Sequence, residues 1–153
     1  VLTTLRPLSV EFAAGNYLPF FSVKSYGVDR PSSARVDVLL IDDDQAVAGA
    51  IAQAIGAIGF TTSIETDPLT AIAVMLRCPP KLVVLEWELP AMDGADVLRV
   101  MRGDSVLRGV EVIVFSRGGS KFRALEYGAS SFLRKARGGQ SRLLSRIQEY
   151  LCD

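Results

Sequence analysis

From Val36 onward one pattern repeats five times: a short strand-like run, nearly unbroken apolar in the first, third and fourth, a turn with polar or acidic residues, then a stretch with helical spacing. An apolar run without polar alternation must be covered on both faces. That implies strands of a parallel sheet with helices above and below, an α/β architecture. Val36–Ile41, broken only by Asp37, is the first predicted strand. Asp44 is placed to cap the next helix, where Val47, Ile51, Ala54, Ile55 and Ile58 recur at helical spacing until Gly59. Phe60–Ile64 reads as the second strand. Asp67 before Pro68 opens a helix over 68–77 that stops ahead of Pro79-Pro80. Lys81–Leu85 is the third strand, followed by a helix over 94–102. Then come strand Val110–Phe115, a short helix at 120–127 (α4), strand Ser131–Arg134 (β5) and a last helix over 140–151 (α5).

In an open parallel sheet, ligands bind outside the carboxyl ends of the strands, at a topological switch point. The chemistry-bearing residues of this chain fall at those ends. Asp42 and Asp43 follow the first strand, Glu86 the third, Ser116 the fourth and Lys135 the fifth. Net charge is zero but unevenly placed: residues 36–104 hold four basic and eleven acidic residues, and residues 105–153 hold nine basic and four acidic. An acidic pocket and a separate basic face are expected, the basic part also being readable as ordinary solvated helix faces. The chain has no histidine, which excludes histidine-based catalysis and histidine-ligated zinc within it. Cys78 and Cys152 lack disulfide-framework or metal-ligand spacing and read as reduced thiols.

The run Leu82-Val83-Val84-Leu85-Glu86-Trp87-Glu88-Leu89-Pro90-Ala91-Met92-Asp93-Gly94, with Asp42-Asp43-Asp44 upstream and Lys135 downstream, resembles the receiver domain of bacterial two-component response regulators. The resemblance covers residues 36–151. It implies a doubly wound, flavodoxin-like five-stranded parallel sheet of order 2-1-3-4-5. Asp42 and Asp43 match the acid pair that holds Mg²⁺, with Glu86 and the backbone carbonyl of Glu88 completing the protein's ligands. Ser116 matches the hydroxyl that bonds the phosphoryl group in the active state, Lys135 the lysine that pairs with it, and Phe132 the aromatic switch residue. Mg²⁺ is thus the cofactor implied, and a protein partner meeting the α4-β5-α5 face is the implied output. Receivers also pair through that face, so a homodimer is a second form of the same expectation.

Glu86 departs from the pattern, because the phosphoacceptor of the family is an aspartate. Glutamate keeps the charge but moves the carboxylate out by one methylene, and in-line attack tolerates little misplacement. The longer carboxylate reaches towards where phosphoryl oxygens would lie. The reading is therefore a regulatory, non-enzymatic pseudo-receiver with an atypical phosphoacceptor position, working independently of a kinase. An inactive pocket with a solvated Glu86, or an engineered Asp-to-Glu phosphomimic in a working receiver, are the alternatives. Arg117 stands where a small residue is usual, and either folds over Glu86 or points to solvent. Ala136 replaces the usual proline after the lysine, and a shortened stretch after Ser116 predicts a short α4. Gly118-Gly119 reads as a tight turn or a mobile point. Trp87, the only tryptophan, is expected near the acidic pocket, with surface packing as its plainer role.

Asp42-Asp43-Asp44 can also be read as the DxD of a small haloacid dehalogenase-like phosphatase, with Asp42 as nucleophile and Asp44 as acid/base. The chain lacks that enzyme's late acidic motif. Arg134, Lys135, Arg137, Arg142 and Arg146 cluster without interleaved aromatics or a recognisable DNA-binding motif, which disfavours nucleic acid as a partner. Residues 1–35 do not follow the repeat. Leu8–Ala14 and Tyr17–Val23 could be two strands around Gly15-Asn16, with Arg30-Pro31-Ser32-Ser33 as a linker. They are expected to be an N-terminal extension or the edge of an upstream domain, packed through Phe12, Tyr17, Phe20 and Phe21, or else a disordered extension; residues 36–153 form the receiver-like domain. The chain opens on Val1, as a fragment of a longer protein would. No apolar run approaches the roughly 20 residues of a membrane span, and no signal-peptide pattern opens the chain. A cytoplasmic location is expected.

Overall fold

The computed structural model describes residues 35–152. Five strands and five helices alternate: β1 (Val38–Ile41), α1 (Gln45–Ala57), β2 (Thr62–Glu65), α2 (Pro68–Arg77), β3 (Leu82–Leu85), α3 (Gly94–Gly103), β4 (Glu111–Ser116), α4 (Lys121–Glu126), β5 (Ser131–Arg134) and α5 (Gly139–Leu151). All strand pairs are parallel and the order is β2-β1-β3-β4-β5. The expected doubly wound, flavodoxin-like sheet is therefore present.

Strand side chains alternate between the two faces, so each unbroken apolar run feeds two cores. Leu39, Ile41, Val83, Leu85, Val112 and Val114 pack with α2, α3 and Ala124 of α4. Val38, Leu40, Leu82, Val84, Ile113 and Phe115 pack with Ile51 and Ile55 of α1 and Leu143 and Ile147 of α5. This two-sided demand is why β1 and β3 show no polar alternation, whereas β2 at the sheet edge is half-buried and largely polar, Thr62-Ser63-Ile64-Glu65.

Helix starts follow the sequence signals. Asp44, Asp67 and Asp93 each cap a helix by accepting a backbone N–H, from Val47 at 3.1 Å, Thr70 at 2.8 Å and Asp96 at 3.0 Å. Gly59, at φ +95°, ends α1: its N–H donates to Gly56 and that of Phe60 to Ile55. This exit delays the second strand to Thr62, later than predicted. The first strand begins at Val38 because Asp37 turns aside to bond Thr61 and Lys81. The fourth runs on to Ser116, and a 3-10 turn at Leu107–Gly109 was not foreseen. α4 is short, as expected.

No described helix is long and apolar enough to cross a membrane. The two strands and the aromatic packing predicted within residues 1–34 lie outside the described residues.

Candidate functional site

The strand register builds the site. Ile41 lies opposite Leu85, and Leu85 opposite Val114. Asp42 and Glu86 therefore leave adjacent strands side by side, and the Glu86 N–H still donates to the Ile41 carbonyl at 2.8 Å. Lys135 is tied to the end of β4 through its N–H to the Ser116 carbonyl at 3.0 Å. Asp42, Glu86 and Ser116 are all buried. Asp42 and Glu86 open onto a cleft of about 210 Å³, lined also by Asp43, Asp44, Val47, Glu88, Arg117 and Lys135.

The Glu86 carboxylate is fully engaged. Oε1 accepts from the Ser116 hydroxyl, from the Trp87 N–H at 2.7 Å and from the Glu88 N–H at 3.1 Å. Oε2 accepts from the Lys135 ammonium at 2.5 Å, and the same ammonium donates to Asp42 Oδ2 at 2.5 Å. Asp42 Oδ1 accepts from the Asp44 N–H at 2.9 Å. Burial pushes the Glu86 carboxyl up, but Lys135, Ser116 and the Glu88 N–H together hold it below the usual glutamate value. Burial pulls the Lys135 ammonium down, yet Asp42 and then Glu86 raise it above its ordinary value. Two acids and one cation thus form a charge-assisted cluster at the sheet's rim.

An oxygen-only donor set is the kind Mg²⁺ takes. In this arrangement, however, among the described residues no three Asp, Glu, Cys or His side chains converge to hold a metal ion. The Lys135 ammonium lies between Asp42 and Glu86, Asp43 is exposed, and both Glu86 oxygens have protein donors. The residues as placed do not fit the ion.

The structure brings Asp42, Glu86, Ser116 and Lys135 together and leaves Asp43, Glu88 and Arg117 at the exposed mouth. Arg117 makes no ion pair with Glu86. Of the two placements open to it, this is the solvent-facing one. Glu88 contributes its N–H to Glu86, and its side chain lies against Gly118. Phe132 is buried in the core on the α3–α4 side. Trp87 is not a surface residue and does not line the cleft. Its ring is buried against Gly94, Gly119 and Tyr127, 6.4 Å between the Trp87 and Tyr127 ring centroids.

Gly118-Gly119 is therefore a contact, not merely a turn. Gly119 has φ +78°, and a Cβ there would fall 2.6 Å from Trp87 Cδ1. Gly119→Ala is expected to cost about 1–3 kcal/mol, read as a lower urea midpoint. Sequence reasoning also passed over Arg134 as a site residue. Its signal, an arginine at the end of a strand facing a Gly-Gly loop, is visible only once the register is known.

A parallel sheet of this order, carrying acids, a hydroxyl and a lysine along its carboxyl rim, places the chain in the doubly wound α/β class of domain. Residues 38–148 match the response regulator receiver domain, and the chain belongs to that family. It is 38% identical over 108 residues to protein-glutamate methylesterase/protein-glutamine glutaminase 1 of Anaeromyxobacter dehalogenans (strain 2CP-C), a match covering 67% of this chain and 30% of that protein. It is 32% identical over 106 residues to the response regulator PleD of Caulobacter vibrioides, covering 67% of this chain and 23% of that protein. The chain thus spans less than a third of either relative. The receiver domain of Francisella response regulator 1452 superimposes with a TM-score of 0.69 at 24% identity, covering 76% of this chain and 96% of that one. The phosphatase reading is not supported: the chain is a receiver, and the Asp44 carboxylate is spent capping α1 while Asp42 is bound by Lys135.

Proposed function

We propose that this receiver is a pseudo-receiver: a signalling module whose switch is set by Glu86 rather than by phosphorylation, and which acts by protein–protein contact. The observation that carries the reading is the pair of bonds from one carboxylate to Ser116 and to Lys135. These are the two groups that the family resemblance assigns to the phosphoryl group. Phe132, the matched aromatic switch residue, is buried, in keeping with a switch already thrown. On this reading the chain has no catalytic activity of its own, works in the cytoplasm and does not require Mg²⁺.

The output surface on this reading is α4-β5-α5. Phe122 is 74% exposed and Leu125 42% exposed on α4. Lys121 and Arg123 on α4, Arg134 at the end of β5 and Arg137 after it are exposed as well, against one exposed acid on α4, Glu126. An acidic protein segment with apolar anchors suits that surface. A homodimer through the same face would set like charges together, and is the weaker form of the proposal. Nucleic acid is not the expected partner.

Incubation with acetyl phosphate and Mg²⁺, read by intact mass, tests the reading. Glu86 protein is expected to stay unmodified. Efficient labelling at Glu86 would show an ordinary phosphoacceptor and end the proposal.

A further inference from the structure

We infer that Arg134 is a positioning residue that ties the β4–α4 loop and the Phe132 ring into one unit. Nothing in the family resemblance assigns it such a role. Arg134 ends β5, in register with Ser116. Its Nη1 donates to the Arg117 carbonyl at 2.9 Å and its Nη2 to the Gly119 carbonyl at 3.1 Å. Its guanidinium carbon lies 5.1 Å from the centroid of the Phe132 ring. Among the described residues it pairs with no carboxylate. The cation is spent on two neutral loop carbonyls and one aromatic face.

The loop is also held from beneath. A Cβ at Gly118 would lie 2.2 Å from Glu88 Oε1, and one at Gly119 would meet the Trp87 ring. The segment that carries Arg117 to the mouth of the cleft is thus clasped between β5 and the residues just after Glu86. A planar fork suits the two carbonyls, and its face suits the ring; a lysine offers one point donor and no plane. Movement of Phe132 outward, or of the loop away from the cleft, has to break the same set of contacts. The meaning of this clasp for signalling rests on the reading of Glu86 as a fixed switch, but the clasp itself can be tested apart from it.

Trp87 is the only tryptophan and its ring lies under Gly119, so acrylamide quenching reports on the loop directly. In the full chain, Arg134→Ala is expected to raise the Trp87 quenching constant at least about twofold through local opening. Amide exchange at Gly118 and Gly119 should rise with it, while the urea midpoint barely moves. Arg134→Lys is expected to fall between the two. Unchanged quenching in Arg134→Ala overturns the inference. So does a rise that only tracks global unfolding, or an Arg134→Lys protein that equals the intact one. The same comparison in a Glu86→Gln background separates the two proposals. If Glu86 proves to be an ordinary phosphoacceptor, Arg134→Ala still raises quenching there; if the clasp is wrong, it does not, whatever Glu86 does.

Discussion

Lys135→Ala is expected to lower folding stability by about 3–5 kcal/mol at neutral pH, the usual cost of removing one partner from a buried charge cluster. Among the described residues the ammonium is the only cation bonded to Asp42 and Glu86, at 2.5 Å from each. Without it two buried carboxylates face each other, and both the repulsion and the lost solvation go uncompensated. The pH dependence should invert as well. In the intact chain Glu86 is held below 4.5, so its contribution is present above that value and is lost as pH falls through the lowered one. Lys135 is raised above 10.5, so its contribution is present below that value and is lost as pH rises through the raised one. This cluster therefore gives the intact chain a level stability between those limits. In Lys135→Ala burial and the facing Asp42 carboxylate both push the Glu86 carboxyl upward, opposed only by Ser116 and the backbone. Relative to the intact chain, in which the cluster's contribution is flat over this range, the variant should gain stability as pH falls from 8 to 5, in urea titrations of both proteins. Adding Glu86→Gln should recover part of the loss. A cost below about 1 kcal/mol would mean that water screens the cluster as it does a surface pair.

Glu86→Asp is expected to increase labelling by acetyl phosphate about a hundredfold or more over the intact protein, the scale of a misplacement near 1 Å. Shortening the side chain withdraws the carboxylate from Ser116 and leaves room between it and Lys135 for a phosphoryl group. In the intact protein that room is filled, and every oxygen of Glu86 already accepts a bond, which blunts it as a nucleophile. Equal labelling of the two proteins would show that the extra methylene does not matter.

Much of this was legible from sequence because local and global signals agree. Asp44 and Asp67 cap helices where the pattern puts them, and the apolar strands need two-sided cover. Parallel strands in register then bring Asp42, Glu86, Ser116 and Lys135 to one rim, as their places at strand ends require. The 3-10 turn at Leu107–Gly109 left no trace because three residues are too few for a period. Trp87 was expected near the acidic pocket, or packed on the surface, because it follows the acid by one position; its N–H does bond Glu86, but its ring is buried elsewhere. Its burial depends on Gly94 and Gly119 from two other segments. Arg117 was read as folding over Glu86 or pointing to solvent, and Arg134 only as one member of a basic cluster. Only the tertiary structure shows the first turned to the mouth and the second bound to the backbone carbonyls of Arg117 and Gly119.

The most direct test of the Glu86 reading compares amide and aromatic NMR shifts of Ser116, Phe132 and the α4-β5-α5 residues in three samples: the intact protein without phosphate, Glu86→Asp without phosphate, and Glu86→Asp labelled by acetyl phosphate. If Glu86 holds the switch as a phosphoryl group would, the intact protein matches labelled Glu86→Asp and differs from the unlabelled form. If the intact protein instead matches unlabelled Glu86→Asp, Glu86 merely fills the pocket and the switch is at rest.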